Sequence, residues 1–259
     1  MHEWLELIET LWPMQYVFIL GHMRSRSSLL THLLGSHPEI SGYTESHIKY
    51  RNRWDLARLR WHVSQAGGHW PTGRYLLDKQ LHNRMYLPAQ LRHSDRLRTV
   101  ILIRPPMETV SSIVRMGERT GNRNDANPLH AAAYYCERLA TLTGLAIELR
   151  DRALLVNSDY LVQNPRAALD AIGSHLQLTT PLENHYELSR HTGKAGAGDI
   201  SPLIRQRQIQ AAKSEAPPIA LPSNLQRTLL ASYEHAIADS APWVSTVGFS
   251  DYTQLQQTS

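Results

Sequence analysis

Short apolar runs alternate along this chain with stretches in which apolar residues recur at helical spacing. Three runs have the length and the aliphatic or β-branched character of strands buried on both faces, at residues 16–20, 100–103 and 154–156. Leu76 and Leu77 form a shorter run. A polar break and then a helical pattern follow each run, and the helical patterns lie at residues 28–34, toward Leu91, 106–116 and 167–176. Strands that alternate with helices predict an α/β fold, in which helices flank a central parallel sheet in three layers.

The remaining segments have patterns of their own. Residues 2–12 predict a short amphipathic helix that ends at Pro13, and residues 126–150 predict one long helix. Residues 192–220 are rich in glycine and polar residues and predict a mobile loop before a final helix at 223–238. We expect one domain, residues 1–259, with a core over about 14–180 and a C-terminal loop and helix over 190–259.

Composition narrows the class of protein. The 259 residues are 42% hydrophobic and 19% charged, which is typical of a globular chain and excludes a disordered one. The single cysteine, Cys136, excludes an internal disulfide and favours a reducing compartment. No apolar run approaches the roughly 20 residues needed to cross a bilayer, and the first residues lack a secretory pattern. We therefore expect a cytoplasmic protein without a membrane span.

The basic residues are mostly arginine. The net charge is only +4, yet four of the 27 basic residues are Lys and 23 are Arg. Arginine grips phosphate or sulfate through a planar fork of N–H groups, so this choice favours an anionic ligand. A general preference for arginine without functional meaning is the alternative.

A polar loop between the first strand and its helix carries the clearest chemical pattern. Residues 24–28 read Arg-Ser-Arg-Ser-Ser, at the place where a helix N-terminus binds phosphate in parallel α/β sheets. The alternative is an ordinary helix N-terminus with Ser27 as its cap and the arginines in solvent. The loop lacks the second Gly and the Lys of a nucleotide triphosphatase loop, which argues against phosphoryl transfer with magnesium.

Together with four other segments, this loop resembles the sulfotransferases that use 3′-phosphoadenosine 5′-phosphosulfate (PAPS), in their bacterial, carbohydrate and tyrosylprotein branches. Arg104, Pro106 and Ser112 after the strand at 100–103 are similar to the family's 3′-phosphate segment. Further similarities lie at residues 37–40 (His-Pro-Glu-Ile) and 158–165, and a weaker one lies at 194–199. The resemblance implies a P-loop NTPase-like fold, PAPS as cosubstrate, 3′,5′-adenosine bisphosphate (PAP) as product, and no metal.

The resemblance also implies roles for individual residues in binding the nucleotide. The 5′-phosphosulfate would be bound by Arg24, Ser25, Arg26, Ser27 and Ser28. The 3′-phosphate would be bound by Arg104 and Ser112, under a loop that contains Lys194 and Gly198.

Catalytic roles are implied in the same way. Glu45 would be the general base for an acceptor hydroxyl, with His47 as its rival, while Lys79 and Arg24 would neutralise charge on the leaving phosphate. One alternative is that Lys79 lies at a solvent-facing strand end. Another is that Glu45 and His47 merely line the acceptor cleft. The acceptor would be a small-molecule, glycan or peptide hydroxyl rather than a nucleic acid, and the sequence does not define an oligomeric state.

Departures from the family pattern weaken particular parts of this interpretation. Arg26 replaces a glycine, so the loop is expected to lack the access to positive φ that glycine provides. Ser158 replaces a tyrosine that is expected to contact the nucleotide. The basic and aromatic stretch 49–61 would receive an anionic acceptor or nucleic acid, or would simply be an amphipathic helix with a solvated basic face. A P-loop-like kinase and a non-catalytic module that binds PAP, another anion or RNA are the competing functions.

Overall fold

A parallel sheet of six strands forms the centre of the protein. The computed structural model describes residues 14–42, 45–51, 53–68, 70–84, 87, 89–188, 202–210 and 217–249. The strand order is β2-β3-β1-β4-β5-β6, and every neighbouring pair is parallel. The strands are β1 (Gln15–Gly21), β2 (Ile40–Ser41), β3 (Tyr75–Gln80), β4 (Leu97–Ile103), β5 (Ala153–Asn157) and β6 (Ser245–Val247).

Helices connect the strands and cover both faces of the sheet. Those in the described part of the chain are α1 (Ser27–Gly35), α2 (Arg53–Gly67), α3 (Ala89–Arg92), α4 (Pro106–Thr120), α5 (Pro128–Leu149), α6 (Tyr160–Gln163), α7 (Pro165–His175) and α8 (Ser223–Ser240). Short 3₁₀ helices lie at Arg150–Arg152 and Pro202–Gln206. The predicted α/β three-layer fold is confirmed.

Two hydrophobic cores lie on opposite faces of the sheet because successive side chains of a strand point to opposite sides. Phe18 and Leu20 of β1 belong to the core that includes residues of α2, α4, α5 and α8. Val17 and Ile19 belong to the core that includes residues of α1 and α7. The strands are therefore apolar on both faces, which explains why they appear in the sequence as continuous apolar runs.

The topology leaves a crevice between the carboxyl ends of β1 and β4. The chain leaves β1 through α1 toward β2 at one edge, whereas it leaves β4 through α4 and α5 toward β5 on the other side. Adjacent strands whose connections depart in opposite directions form the usual ligand-binding position of an open α/β sheet. The loop at residues 24–28 and the segment that contains Arg104 and Ser112 both open onto this crevice.

Several element predictions need correction. The predicted loop at 192–220 contains a 3₁₀ helix, and Ile204 and Ile209 are buried in the core that contacts α1, so the described residues 202–210 form a packed segment. Lys79 belongs to β3, and the helix toward Leu91 is only one short turn. Arg60 is buried rather than part of a solvated basic face, with its guanidinium 5.1 Å from the Trp70 ring. The predicted helix at 2–12 lies outside the described residues.

The long helix predicted at 126–150 is confirmed as α5. Its N-terminus follows from local chemistry, because the Asn127 side chain accepts hydrogen bonds from the N–H groups of Leu129 and His130, and Pro128 occupies the first turn. Among the described helices, none has the length and apolar character required to span a membrane.

Candidate functional site

His22 fixes the end of β1 at the crevice. The Arg104 N–H donates to His22 Nε2 at 3.0 Å, so the proton of the neutral ring lies on Nδ1, which donates to the Met23 carbonyl at 2.8 Å. Complete burial lowers the pKa of His22 to about 4, with the charges of Arg138 and Arg104 acting in the same direction. His22 is therefore a structural residue that ties the end of β1 to the end of β4.

The loop after His22 has an unusual backbone. Arg24 and Arg26 have positive φ values of 64° and 59°. The expectation that Arg26 would deprive the loop of the glycine conformation is wrong, because Arg26 adopts that left-handed conformation itself. Arg26 is the N-cap of α1, and Ser27 is its first helical residue, so the alternative with Ser27 as cap is also wrong. The first N–H groups of α1 lack intrahelical partners and form an anion-binding end.

The loop side chains divide between the crevice and the interior. Arg24 Nε donates to Ser112 Oγ at 3.0 Å, which joins the loop to α4. Ser28 Oγ accepts a hydrogen bond from Lys79 Nζ at 3.3 Å. Ser25 instead points inward, where a Cβ on Gly21 would lie 2.7 Å from its Oγ. This buried hydroxyl has no hydrogen-bond partner within the described part of the chain.

Arg104 and Asp159 lie at the ends of β4 and β5. Arg104 Nε donates to Asp159 Oδ1 at 2.9 Å, and the same oxygen accepts hydrogen bonds from Arg26 Nε at 3.0 Å and Arg26 Nη2 at 2.8 Å. One carboxylate therefore bridges two of the predicted phosphate-binding arginines. Sequence reasoning did not identify Asp159 as a site residue, although an acidic residue two positions after the end of β5 was the available signal. Ser158, in contrast, is fully buried.

Glu45 and Lys79 form an ion pair on the β3 side of the crevice. Lys79 Nζ lies 3.4 Å from Glu45 Oε2, and the two side chains are only 3% and 9% exposed. The alternative that placed Lys79 in solvent is therefore wrong. His47 Nδ1 lies 3.8 Å from the other carboxylate oxygen, but the His47 side chain is 54% exposed.

Asp78 holds the segment that carries Glu45. Its carboxylate accepts hydrogen bonds from the Ser46 N–H at 2.9 Å, Ser46 Oγ at 2.5 Å and Tyr50 Oη at 2.6 Å. Burial raises the pKa of Asp78, while the hydrogen bonds from Ser46 and Tyr50 oppose this shift. Burial and the Asp78 carboxylate together raise the pKa of Tyr50 well above its usual value. Both neighbours of Ser46, which are Glu45 and His47, are thereby set at the mouth of the crevice.

Helix α5 supports the floor of the site. The buried Arg138 donates to the carbonyls of Gly21 and Gln80, at the ends of β1 and β3. Tyr134 Oη accepts from the Met23 N–H and donates to the Leu81 carbonyl, and burial raises its pKa to about 12. The His82 ring lies 5.7 Å from the Tyr134 ring, and burial lowers the pKa of His82. Sequence reasoning assigned no role to His82, although it follows β3 at the same sheet edge.

A cavity of about 350 Å³ joins these groups. Its lining includes nine of the twelve residues singled out in the sequence, which are Arg24, Arg26, Ser27, Ser28, Glu45, His47, Lys79, Arg104 and Ser112. Ser25 is not part of the lining, and Lys194 and Gly198 lie outside the described residues. The lining also contains His82 and residues of the packed C-terminal segments, namely Tyr186, Ile204, Gln208 and Gln210. Within the described ranges, no group of three or more His, Cys, Asp or Glu residues is arranged to hold a metal.

Comparison with known proteins shows similarity at the level of the fold. No protein-family model matches the chain, and no curated protein matches it in sequence. The sulfotransferase domain of the Synechococcus PCC 7002 olefin synthase is similar with a TM-score of 0.51 and 23% identity, over 84% of this chain and 94% of that domain. The sulfotransferase domain from the curacin biosynthetic pathway is similar with a TM-score of 0.55 and 17% identity, over 85% of this chain and 97% of that domain. This chain therefore shares the fold of these two sulfotransferase domains.

Proposed function

We propose that this protein is a sulfotransferase that moves a sulfuryl group from PAPS to a hydroxyl group of an acceptor. The observation that carries the proposal is that one cavity contains both a cationic loop at a helix N-terminus and a buried pair of Glu45 and Lys79. An anion-binding module needs only the loop. A transferase also needs a group that accepts a proton and a cation beside the reacting atoms.

The donor groups of the crevice fit a nucleotide with phosphates at two positions. Arg24, Ser27, Ser28 and the first N–H groups of α1 would bind the 5′-phosphosulfate, and Arg104 and Ser112 would bind the 3′-phosphate. The hydrogen bond from Arg24 to Ser112 joins the two sets. PAPS, when bound, supplies the activated sulfuryl group.

The ion pair of Lys79 and Glu45 supplies the cation and the general base that the reaction also requires. Lys79 donates to Ser28, which puts its ammonium group next to the phosphate loop, where it neutralises charge on the leaving phosphate. Glu45, on the other side of that ammonium group, takes the proton of the acceptor hydroxyl as the oxygen attacks sulfur. The lost bond joins sulfur to the phosphate oxygen, and the new bond joins sulfur to the acceptor oxygen.

Two imidazoles are rivals for the role of base. His47 is more than half exposed, and its Nδ1 lies 3.8 Å from Glu45 Oε1. His82 is neutral near pH 7 because burial lowers its pKa, and it also lines the cavity. We favour Glu45 because its carboxylate is only 9% exposed and lies 3.4 Å from Lys79 Nζ, whereas the His47 side chain is 54% exposed.

The direct test measures transfer of radiolabelled sulfate from PAPS to a panel of hydroxyl acceptors. The assay buffer contains a metal chelator. Phenols, sugars, lipids and peptides belong in the panel. We expect labelled product from at least one class. Binding of PAP without transfer to any acceptor or to water would indicate a non-catalytic module instead.

Calorimetry distinguishes the proposal from the kinase alternative. The loop lacks the Gly-Lys pair of a triphosphatase loop, so PAP without metal is expected to bind more tightly than ATP with magnesium. The opposite order of affinities would overturn the assignment of PAPS as cosubstrate.

A further inference from the structure

Asp159 stands behind the arginines of the cavity rather than in it. Arg26 and Arg104 both line the cavity, whereas Asp159 does not. A single carboxylate oxygen receives three N–H groups, two from Arg26 and one from Arg104, at 2.8–3.0 Å. The Asp159 side chain is 17% exposed and that of Arg104 is 5% exposed, so water competes little for these contacts.

The carboxylate itself is held in place by its own backbone. The Asp159 N–H donates to Asn157 Oδ1 at 3.0 Å, and Asn157 Nδ2 donates to the Gly248 carbonyl at 3.0 Å. The Asp159 carbonyl accepts the N–H groups of Val162 and Gln163 at the start of α6. The anchor is thus built on β5 and β6, independently of the phosphate loop.

From this geometry we infer that Asp159 is a positioning residue that sets the selectivity of the site for a nucleotide carrying a 3′-phosphate. The inference rests on the proposed function, in which Arg104 binds that phosphate. Asp159 would not contact the nucleotide itself and would act only through Arg26 and Arg104.

The physical reason is the shape of the guanidinium group. A guanidinium is planar, and a carboxylate on its Nε fixes the rotation of the whole plane, so the rest of the group meets the ligand in one orientation. The carboxylate also offsets the repulsion between Arg26 and Arg104, which share its Oδ1 atom. Without it, Arg104 would keep its charge but lose its orientation, and the 3′-phosphate would lose its preferential contact.

The variant D159N tests this inference because it keeps the shape of the side chain and removes its charge. The measured quantity is the dissociation constant of adenosine 5′-monophosphate divided by that of PAP. Both constants are obtained by calorimetry in buffer that contains a metal chelator. We expect D159N to lower this ratio about tenfold, as for the loss of one charged hydrogen bond. D159E keeps the charge and is expected to fall between D159N and the wild type. D170N is the matched control, because Asp170 pairs with Arg166 on an exposed surface.

The outcomes separate three roles. A lowered ratio in D159N, with D170N unchanged, supports positioning. Equal weakening of both nucleotides overturns it and assigns Asp159 a general structural role, whereas tighter binding of both overturns it and makes Asp159 a competing anion. An unchanged ratio in D159N and D159E overturns it as well. If D159N does not fold, the ratio in D159E decides in the same way. A wild-type protein that does not prefer PAP would instead contradict the proposed function.

Discussion

The two halves of the cavity use carboxylates in opposite ways. In the half at the ends of β4 and β5, Asp159 lies behind Arg26 and Arg104 and outside the cavity lining. In the half at the end of β3, Glu45 belongs to the lining and faces Lys79 across 3.4 Å, while a different carboxylate, that of Asp78, supports the segment from below. A carboxylate behind cations orients them, whereas a carboxylate in the lining is available to a substrate.

This difference predicts that substitutions in the two halves will have different effects. Asp159 Oδ1 and both carboxylate oxygens of Asp78 accept hydrogen bonds from protein groups, so these atoms are engaged before any ligand arrives. Glu45 has contacts with Lys79 and His47 at 3.4 and 3.8 Å, which are longer than good hydrogen bonds. The half with the longer contacts is the one we assign to proton transfer.

The largest expected effect belongs to Glu45. E45Q keeps the shape of the side chain but cannot take a proton, so the transfer rate should fall by about a thousandfold, while the affinity for PAP stays within about threefold. Labelled-sulfate transfer and calorimetry measure the two quantities. H47Q and H82Q serve as matched controls, and a larger loss in either of them than in E45Q would move the role of base to that histidine.

Breaking the ion pair from the other side should lower stability in addition to slowing transfer, because Lys79 also neutralises charge on the leaving phosphate. K79M removes the ammonium group and leaves Glu45 buried without it, which should lower the free energy of unfolding by about 3 kcal/mol. The double variant E45Q/K79M removes both charges and should recover a large part of this loss. Urea denaturation of the two variants and the wild type gives the numbers. A K79M protein as stable as the wild type would mean that the pair is solvated.

Acid should lower the stability of the protein through His22, which holds the start of the phosphate loop. Burial lowers the pKa of His22 from 6.5 to about 4 in the folded protein, so the unfolded chain binds a proton first as the pH falls. The contribution of His22 to the free energy of unfolding is complete above pH 6.5 and is lost as the pH falls toward 4. Between pH 7 and pH 5 the loss should be about 2 kcal/mol. The free energy of unfolding of H22Q should therefore fall less over this interval than that of the wild type.

His175 provides the comparison for that measurement. Burial lowers its pKa to about 4 as well, but His175 bonds to the Thr99 carbonyl within β4, whereas His22 bonds to the Arg104 N–H at the crevice. H175Q should flatten the pH dependence of stability without changing the affinity for PAP, whereas H22Q should change both. Equal affinities in the two variants would show that His22 does not support the loop.

The smallest effect concerns the backbone of Arg26. With φ at 59°, a glycine fits this position better than an alanine, although both lack the ion pair with Asp159. We expect R26G to be more stable than R26A by about 1 kcal/mol in thermal or urea unfolding. The reverse order would show that the left-handed conformation depends on the guanidinium group.

Much of the fold and half of the cavity follow from local sequence patterns. Buried parallel strands are continuous apolar runs, so β1, β4 and β5 were predictable, and their carboxyl ends place Arg24 and Arg104 at one edge. Glu45 and Lys79 came from a family resemblance that implied a general base and a cation at the leaving phosphate, and the structure brings both residues into the cavity.

The rest depends on long-range packing that no local pattern contains. Ser25 is buried and lies between two residues with positive φ, and nothing in a serine-rich loop sequence predicts that geometry. The role of Asp159 depends on arginines that are distant in sequence. Residues 202–210 are glycine-free, and their buried Ile204 and Ile209 were the signal that this part of the predicted loop is packed.

The bond between Asn157 and the Gly248 carbonyl has a consequence for the order of assembly. Gly248 itself fits under Tyr160, where a Cβ would lie 2.3 Å from the tyrosine Cβ, so this contact closes only when β6 docks. During synthesis the arginine at position 26 leaves the ribosome long before residue 248. Until then the nascent chain lacks the contacts of Gly248 with Asn157 and Tyr160. Contacts of such long sequence separation form late and slowly. Nucleotide-binding competence should thus appear only when the β6 segment has emerged.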